Sequence, residues 1–160
     1  MEFDAVAYTA AKCLFEGARN AIRNLPALME EYDSQLILHS GMDMVMGKAA
    51  LNDGQEALIS HIERHTELLD EIKRQIEVLS TTTADAEAVI SKLTEPGDAL
   101  VLRLYYLLGY SERAIPKIRR NGVPIWHYSA DYVHEKKELA LIHCSTIVRE
   151  LGIVGRYTNE

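Results

Sequence analysis

Apolar side chains recur at intervals of three and four residues along most of this chain, while alternation with a period of two is scarce. That pattern predicts an all-α protein. A first helix is expected over residues 4–23, with Val6, Ala10, Cys13, Leu14, Ala18, Ala21 and Ile22 forming its buried stripe and Gly17 weakening it slightly. Pro26 follows Asn24 and Leu25; because proline is tolerated in a first turn, a second helix is expected to start there and run to about residue 39. The clearest helix lies over residues 55–80. Leu58, Ile62, His65, Leu69, Ile72, Ile76 and Leu79 fall at alternating steps of four and three, the a/d seam of a coiled coil. The seam closes either on the N-terminal helices of the same chain or on a second copy, and one spacing serves both.

Between these helices, residues 40–54 hold Gly41 and Gly47, which mark a loop or a broken helix, and Met42, Met44 and Met46, which suit adaptable packing under a loop or a ligand site. Thr81, Thr82 and Thr83 are β-branched hydroxyl residues that favour caps over helix interiors, so they are expected to interrupt the polar helix before a short one over 84–93. Pro96 in first-turn position and Asp98 near the favourable end of the dipole open the next helix. From there the pattern is a helix, a polar turn, a short helix, a Gly/Pro-containing connection and a long final helix opened by Tyr128 and Ser129. This is a helix-turn-helix layout. The expected division is an acidic helical region over 1–93, serving dimerisation or a partner, and a helix-turn-helix-like region over 94–160.

Charge sharpens the division. Residues 1–100 carry 8 Lys and Arg against 18 Asp and Glu, a net of −10, whereas residues 101–160 carry 9 against 6, a net of +3. Only the second part is suited by its sign to approach phosphate, so DNA contact in a protein of pI about 5.4 is expected to be local and to need two copies. With 160 residues and 48% hydrophobic content the chain can bury a core. No apolar run reaches the roughly 18 residues of a membrane helix, and the start, Met1-Glu2-Phe3-Asp4, is acidic where a signal peptide is basic, so a cytoplasmic protein is expected. Cys13 and Cys144 stand far apart and read as buried, reduced thiols. His61 and His65 share a helix face, but Ile62 occupies the place where the zinc-protease motif has Glu; packing or solvent exposure is the better reading. His39, His127, His134 and His143 form no ligand spacing. There is no Gly-rich phosphate loop and no nucleophile–base arrangement, so neither an enzyme nor a cofactor is expected.

The run Asp98-Ala99-Leu100-Val101-Leu102-Arg103-Leu104-Tyr105-Tyr106-Leu107-Leu108-Gly109-Tyr110-Ser111, followed by Ala114-Ile115, resembles the sigma-factor region-4-like helix-turn-helix of small phage transcription regulators of the ArpU/RinA type. Ser129, Val133, Ala140 and Leu141 are similar to that family's recognition-helix spacing, and Arg23-Asn24-Leu25-Pro26-Ala27-Leu28 to an element common upstream in these proteins. The resemblance implies a phage or prophage transcriptional regulator that binds double-stranded DNA; the a/d seam and the weak basic charge of one C-terminal half add the expectation of a homodimer, and host RNA polymerase is a partner that a competing interaction-module reading would offer. On the regulator reading Ser129 caps the final helix, Ala130, Asp131, His134 and Lys137 lie on its outer face near the groove, and Arg113, Lys117, Arg119 and Arg120 contact phosphate. The chain departs from the pattern in three places. Ser111 and Ser129 are further apart than in the family, with 119–126 enlarging the turn. Pro116 falls inside the first helix of the motif, where it costs roughly 3 kcal/mol unless the helix starts late or kinks. Lys136 and Lys137 stand where an apolar packing residue is usual. The competing reading is a helical protein-interaction module whose helix-turn-helix no longer binds DNA. Trp126 is expected as a core plug between the last two helices.

Overall fold

The computed structural model describes residues 2–48 and 55–158, with side-chain surroundings given outside 42–58. The described chain is all-α apart from one small hairpin: α1 (Ala5–Lys48), α2 (Gln55–Ser91), α3 (Pro96–Leu102) continued by a π-helical turn (Arg103–Leu107), a 3-10 turn (Ile115–Lys117), β1 (Arg119–Arg120), β2 (Val123–Pro124), α4 (Ala130–Glu150) and a closing 3-10 turn (Val154–Arg156). No described helix is long and apolar enough to cross a membrane. Two compact units emerge, one from Met1–Arg23 with Thr81–Glu160 and one from Asn24–Ser80, whereas the sequence pattern divides the chain at 93/94.

The two helices expected before residue 40 are one. Pro26 lies inside the 44-residue α1 instead of opening a new helix, and Gly41 and Gly47 do not break it before Lys48. The surroundings of the methionines at 42, 44 and 46 lie outside the described side chains. The reason for continuity is visible in the second unit. Leu25, Leu28, Tyr32, Gln35 and His39 are half-buried at steps of three and four, a seam that a break at Pro26 would throw out of register. Its partner is the seam of α2, in which His65, Leu69 and Ile72 are buried and Ile62, Ile76 and Leu79 half-buried; Leu58 lies outside the described side chains. His65 Nε2 sits 2.6 Å from Gln35 Oε1, and its Nδ1 lies 3.2 Å from Nδ1 of His39. Each ring nitrogen of His65 therefore has a polar partner inside the seam. His61 is exposed. The seam thus closes within the chain.

In the first unit α2 continues through Thr81–Thr83 to Ser91, contrary to the expected interruption. Thr82 is buried, and its methyl group would lie 3.3 Å from a Cβ placed on Gly17, so Gly17 permits the close approach at this point. Once its hydroxyl side chain is packed in this way, a threonine gains more from its place in the helix than it loses in propensity. The α1 stripe is built of small residues, with Ala7, Ala10, Ala11, Leu14, Phe15, Ala18 and Ala21 fully buried. Val6 and Cys13 of the expected stripe are exposed, because the buried face is turned toward Ala7, Ala11 and Phe15. These side chains join Val89 and Ile90 of α2, Val101 and Leu102 of α3, Ile115, Trp126, and Val133, Leu141, Cys144 and Val148 of α4 in one core. Trp126 is the expected plug, 4% exposed.

Two local devices set the course of the chain after α3. The π-helical turn inserts an extra residue per hydrogen-bonded ring, with Leu108 N–H donating to Arg103 O at 2.8 Å. It turns Tyr106 inward against Phe15 (ring centroids 5.4 Å apart) and leaves Tyr105 half-exposed. Gly109, at φ +77°, then ends the helix and lets Tyr110 N–H reach Leu104 O.

Candidate nucleic-acid interface

The segment between the two serines forms no regular helix. Ser111 Oγ accepts from Ala114 N–H at 3.1 Å, but only the single 3-10 turn Ile115–Lys117 comes after it, with Pro116 in its first positions. Pro116 cannot donate a backbone hydrogen bond and fits only at such a start, so the expected short helix is reduced to one turn. The enlarged connection is a β-hairpin, which the apolar periodicity did not anticipate. Arg119 pairs with Pro124 and Arg120 with Val123, around a two-residue loop in which Asn121 (φ 54°) and Gly122 (φ 79°) both have positive φ. Asn-Gly is the preferred pair for this turn, whose twist matches that of the strands.

Four of the expected phosphate contacts lie on this segment, and all are exposed: Arg113, Lys117, Arg119 and Arg120. Arg119 Nη1 donates to Gly122 O at 3.3 Å across its own hairpin. Arg113, Lys117 and Arg120 form no ion pair among the described residues. Beside them Ser129 caps α4, its Oγ accepting from Tyr132 N–H at 3.3 Å, and Asp131 stands exposed in the first turn with Ala130 half-buried behind it. Arg113, Ala130, Asp131 and His134 border one shallow depression with Glu112 and Glu135.

Lys137 departs from expectation. It is buried, 6% exposed, and does not lie on the outer face of α4. Its ammonium donates to Glu112 Oε1 at 2.6 Å and lies 4.0 Å from the centroid of the Tyr105 ring. His134 is exposed and its Nδ1 lies 3.1 Å from the same Glu112 oxygen. Burial pushes the Glu112 carboxyl up, but the hydrogen bonds from Lys137 and His134 outweigh it and hold the carboxyl below its ordinary range. Glu112 therefore ties the turn at 111–114 to α4. Neither Glu112 nor Tyr105 was visible as a functional residue in the sequence; the one available signal was a carboxylate directly after the capping Ser111.

Lys136 is also buried, and it serves a second ionic cluster. Its ammonium donates to Glu95 and lies 3.1 Å from Oδ1 of Asp98, a residue 1% exposed, while Asp98 Oδ2 lies 2.5 Å from Nδ1 of His143. The Asp98 Oδ1–Lys136 approach is a charge contact without hydrogen-bond geometry. Burial lowers the Lys136 pKa, but the two carboxylates outweigh it and raise the pKa above its ordinary value. Glu95, Asp98 and His143 present ligand atoms within 4.8 Å of one another, a grouping that could hold a metal ion. The Lys136 ammonium already supplies positive charge to both carboxylates there. Next to it Cys144 is a buried thiol, as expected, pushed up to about 12 by burial first and by Asp98 second. It is held as an unreactive thiol.

No protein-family model, curated protein or solved structure matches this chain.

Proposed function

We propose that this chain is a cytoplasmic transcriptional regulator of phage or prophage origin, of the ArpU/RinA type it resembles, which binds double-stranded DNA through the region 111–137. The observation that carries the reading is the group of exposed cations Arg113, Lys117, Arg119 and Arg120 on the 3-10 turn and hairpin, beside the capped N-terminus of α4. Cations without carboxylate partners are free to neutralise phosphate. On this reading the hairpin takes the role of the enlarged turn, its arginines on the backbone, while Asp131 and His134 approach base edges. The protein acts as a homodimer, and RNA polymerase is its partner at the promoter.

A helical protein-interaction module is the second reading. It is favoured by the loss of the short helix to a single 3-10 turn and by the burial of Lys137, which together leave fewer side chains for a groove. The deciding experiment is fluorescence anisotropy on duplex DNA from the region upstream of the protein's own gene, with a salt titration. Specific binding is expected, and changing Arg119 and Arg120 together to Ala should weaken it on all sequences and flatten the salt slope by about 1–2. Absence of any binding by the folded wild type would give the interaction module precedence.

A further inference from the structure

A cavity of about 440 Å³ lies between the first part of α1 and the first half of α4, and the proposed regulator does not account for it. Lys12, Arg19 and Arg23 enter it from α1, His134 and Lys137 from α4, and Tyr105 from the π-helical turn. Two carboxylates, Glu16 and Glu138, share the wall; Lys137 is already paired with Glu112, which leaves Lys12, Arg19 and Arg23 facing two anions. The Tyr8 hydroxyl donates to Glu138 Oε2 at 2.5 Å. Tyr105 gathers positive charge. The Arg19 guanidinium lies 3.8 Å and the Lys137 ammonium 4.0 Å from its ring centroid. The ring's negative face lets two cations stand together that would otherwise repel. Arg19 Nε is buried with no hydrogen-bond partner, and Lys12 and Arg23 form no ion pair among the described residues.

Lys12 and Arg23 bring cationic groups to the cavity beside the Arg19 guanidinium, and a planar guanidinium matches the oxygens of phosphate. The cleft is open and has room for a phosphate together with part of an organic substituent. We infer that this cavity binds a phosphate ester, held by Lys12, Arg19 and Arg23 across from His134 and Lys137. The ester is either one in a nucleic-acid backbone or one on a small molecule, and the inference stands whether or not the regulator reading does.

The test uses the full chain and two probes, sodium pyrophosphate followed by calorimetry and duplex DNA followed by anisotropy across a salt series. The variant is the double change Lys12→Ala with Arg23→Ala, which leaves the Tyr105 contacts in place; its fold is checked by circular dichroism. The variant is expected to bind pyrophosphate about tenfold or more weakly than wild type. If the backbone is the source, its DNA salt slope also falls by about 1.8, for two lost phosphate contacts. If a small molecule is the source, pyrophosphate binding falls and DNA binding is unchanged or absent in both proteins. The inference is overturned if wild type binds neither probe, or if the variant binds every probe as wild type does.

Discussion

At the scale of single residues, the adjacent lysines of α4 show how charge can stand in for apolar packing. Lys136 and Lys137 are both buried, and each reaches a carboxylate on another element. Removing Lys136 leaves the buried Asp98 carboxylate to His143, without its ammonium partner, so Lys136→Met should destabilise the first unit by about 1–3 kcal/mol in urea unfolding. Adding Asp98→Asn should recover part of that loss, because it removes the stranded carboxylate; a double variant no more stable than the single one would contradict this. Glu112 gives a pH dependence with a definite sign. Its folded pKa is depressed, so the stability it contributes is fully present above its ordinary value of 4.5 and is lost as pH falls through the folded value. Wild type should therefore exceed Glu112→Gln by about 1–3 kcal/mol at neutral pH, and the gap should close in acid, where the native carboxyl is itself protonated. A gap independent of pH would remove the ionic role of Glu112. The sequence placed Lys137 on the outer face because helix periodicity gives an azimuth only. What lies at that azimuth, here Glu112 and Tyr105, arrives from 25 to 32 positions earlier and has no local signature.

At the scale of elements, the fold class was legible because three/four spacing is a local property of a helix face, and the α2 seam, the Ser129 cap, the Pro96 start and the core Trp126 were all readable for that reason. Boundaries inside α1 and α2 were not. Pro26 and the three threonines carry local penalties for a helix interior, yet seams extending on both sides of each penalty keep the helices continuous. The hairpin was missed for a different reason. Two-residue strands are too short to show alternation, and its real signal is the Asn121-Gly122 pair with positive φ at both positions. Because a β-branched residue is strained at positive φ, Gly122→Val should cost about 1–2 kcal/mol locally. Amide exchange reads this directly: Ile125 N–H, which donates to Ile118 O at 3.1 Å beyond the hairpin, should lose protection while α4 amides keep theirs. Unchanged protection at Ile125 would show that the turn does not hold the hairpin.

At the scale of the whole molecule, charge counted along the chain misleads where charge in space decides. The N-terminal hundred residues are strongly acidic, yet Lys12, Arg19 and Arg23 from that stretch share a cavity with Lys137 and His134 from the basic one. A similar inversion bears on assembly. The coiled-coil seam that motivated a homodimer is occupied within the chain, with His65 set against Gln35 and His39, so a second copy must use another surface. Among the described residues one candidate lies on α1, where Leu36, Ile37 and Leu38 are exposed, Ile37 by 74%. Exposed large apolar side chains can seat an association. Light scattering at micromolar concentration should accordingly give twice the 18.0 kDa chain mass, and Ile37→Lys should return it to the single mass with helix content unchanged. A wild type that stays at the single mass at high micromolar concentration would end the dimer proposal and leave each chain to bind DNA alone, with a salt slope set by its own exposed cations.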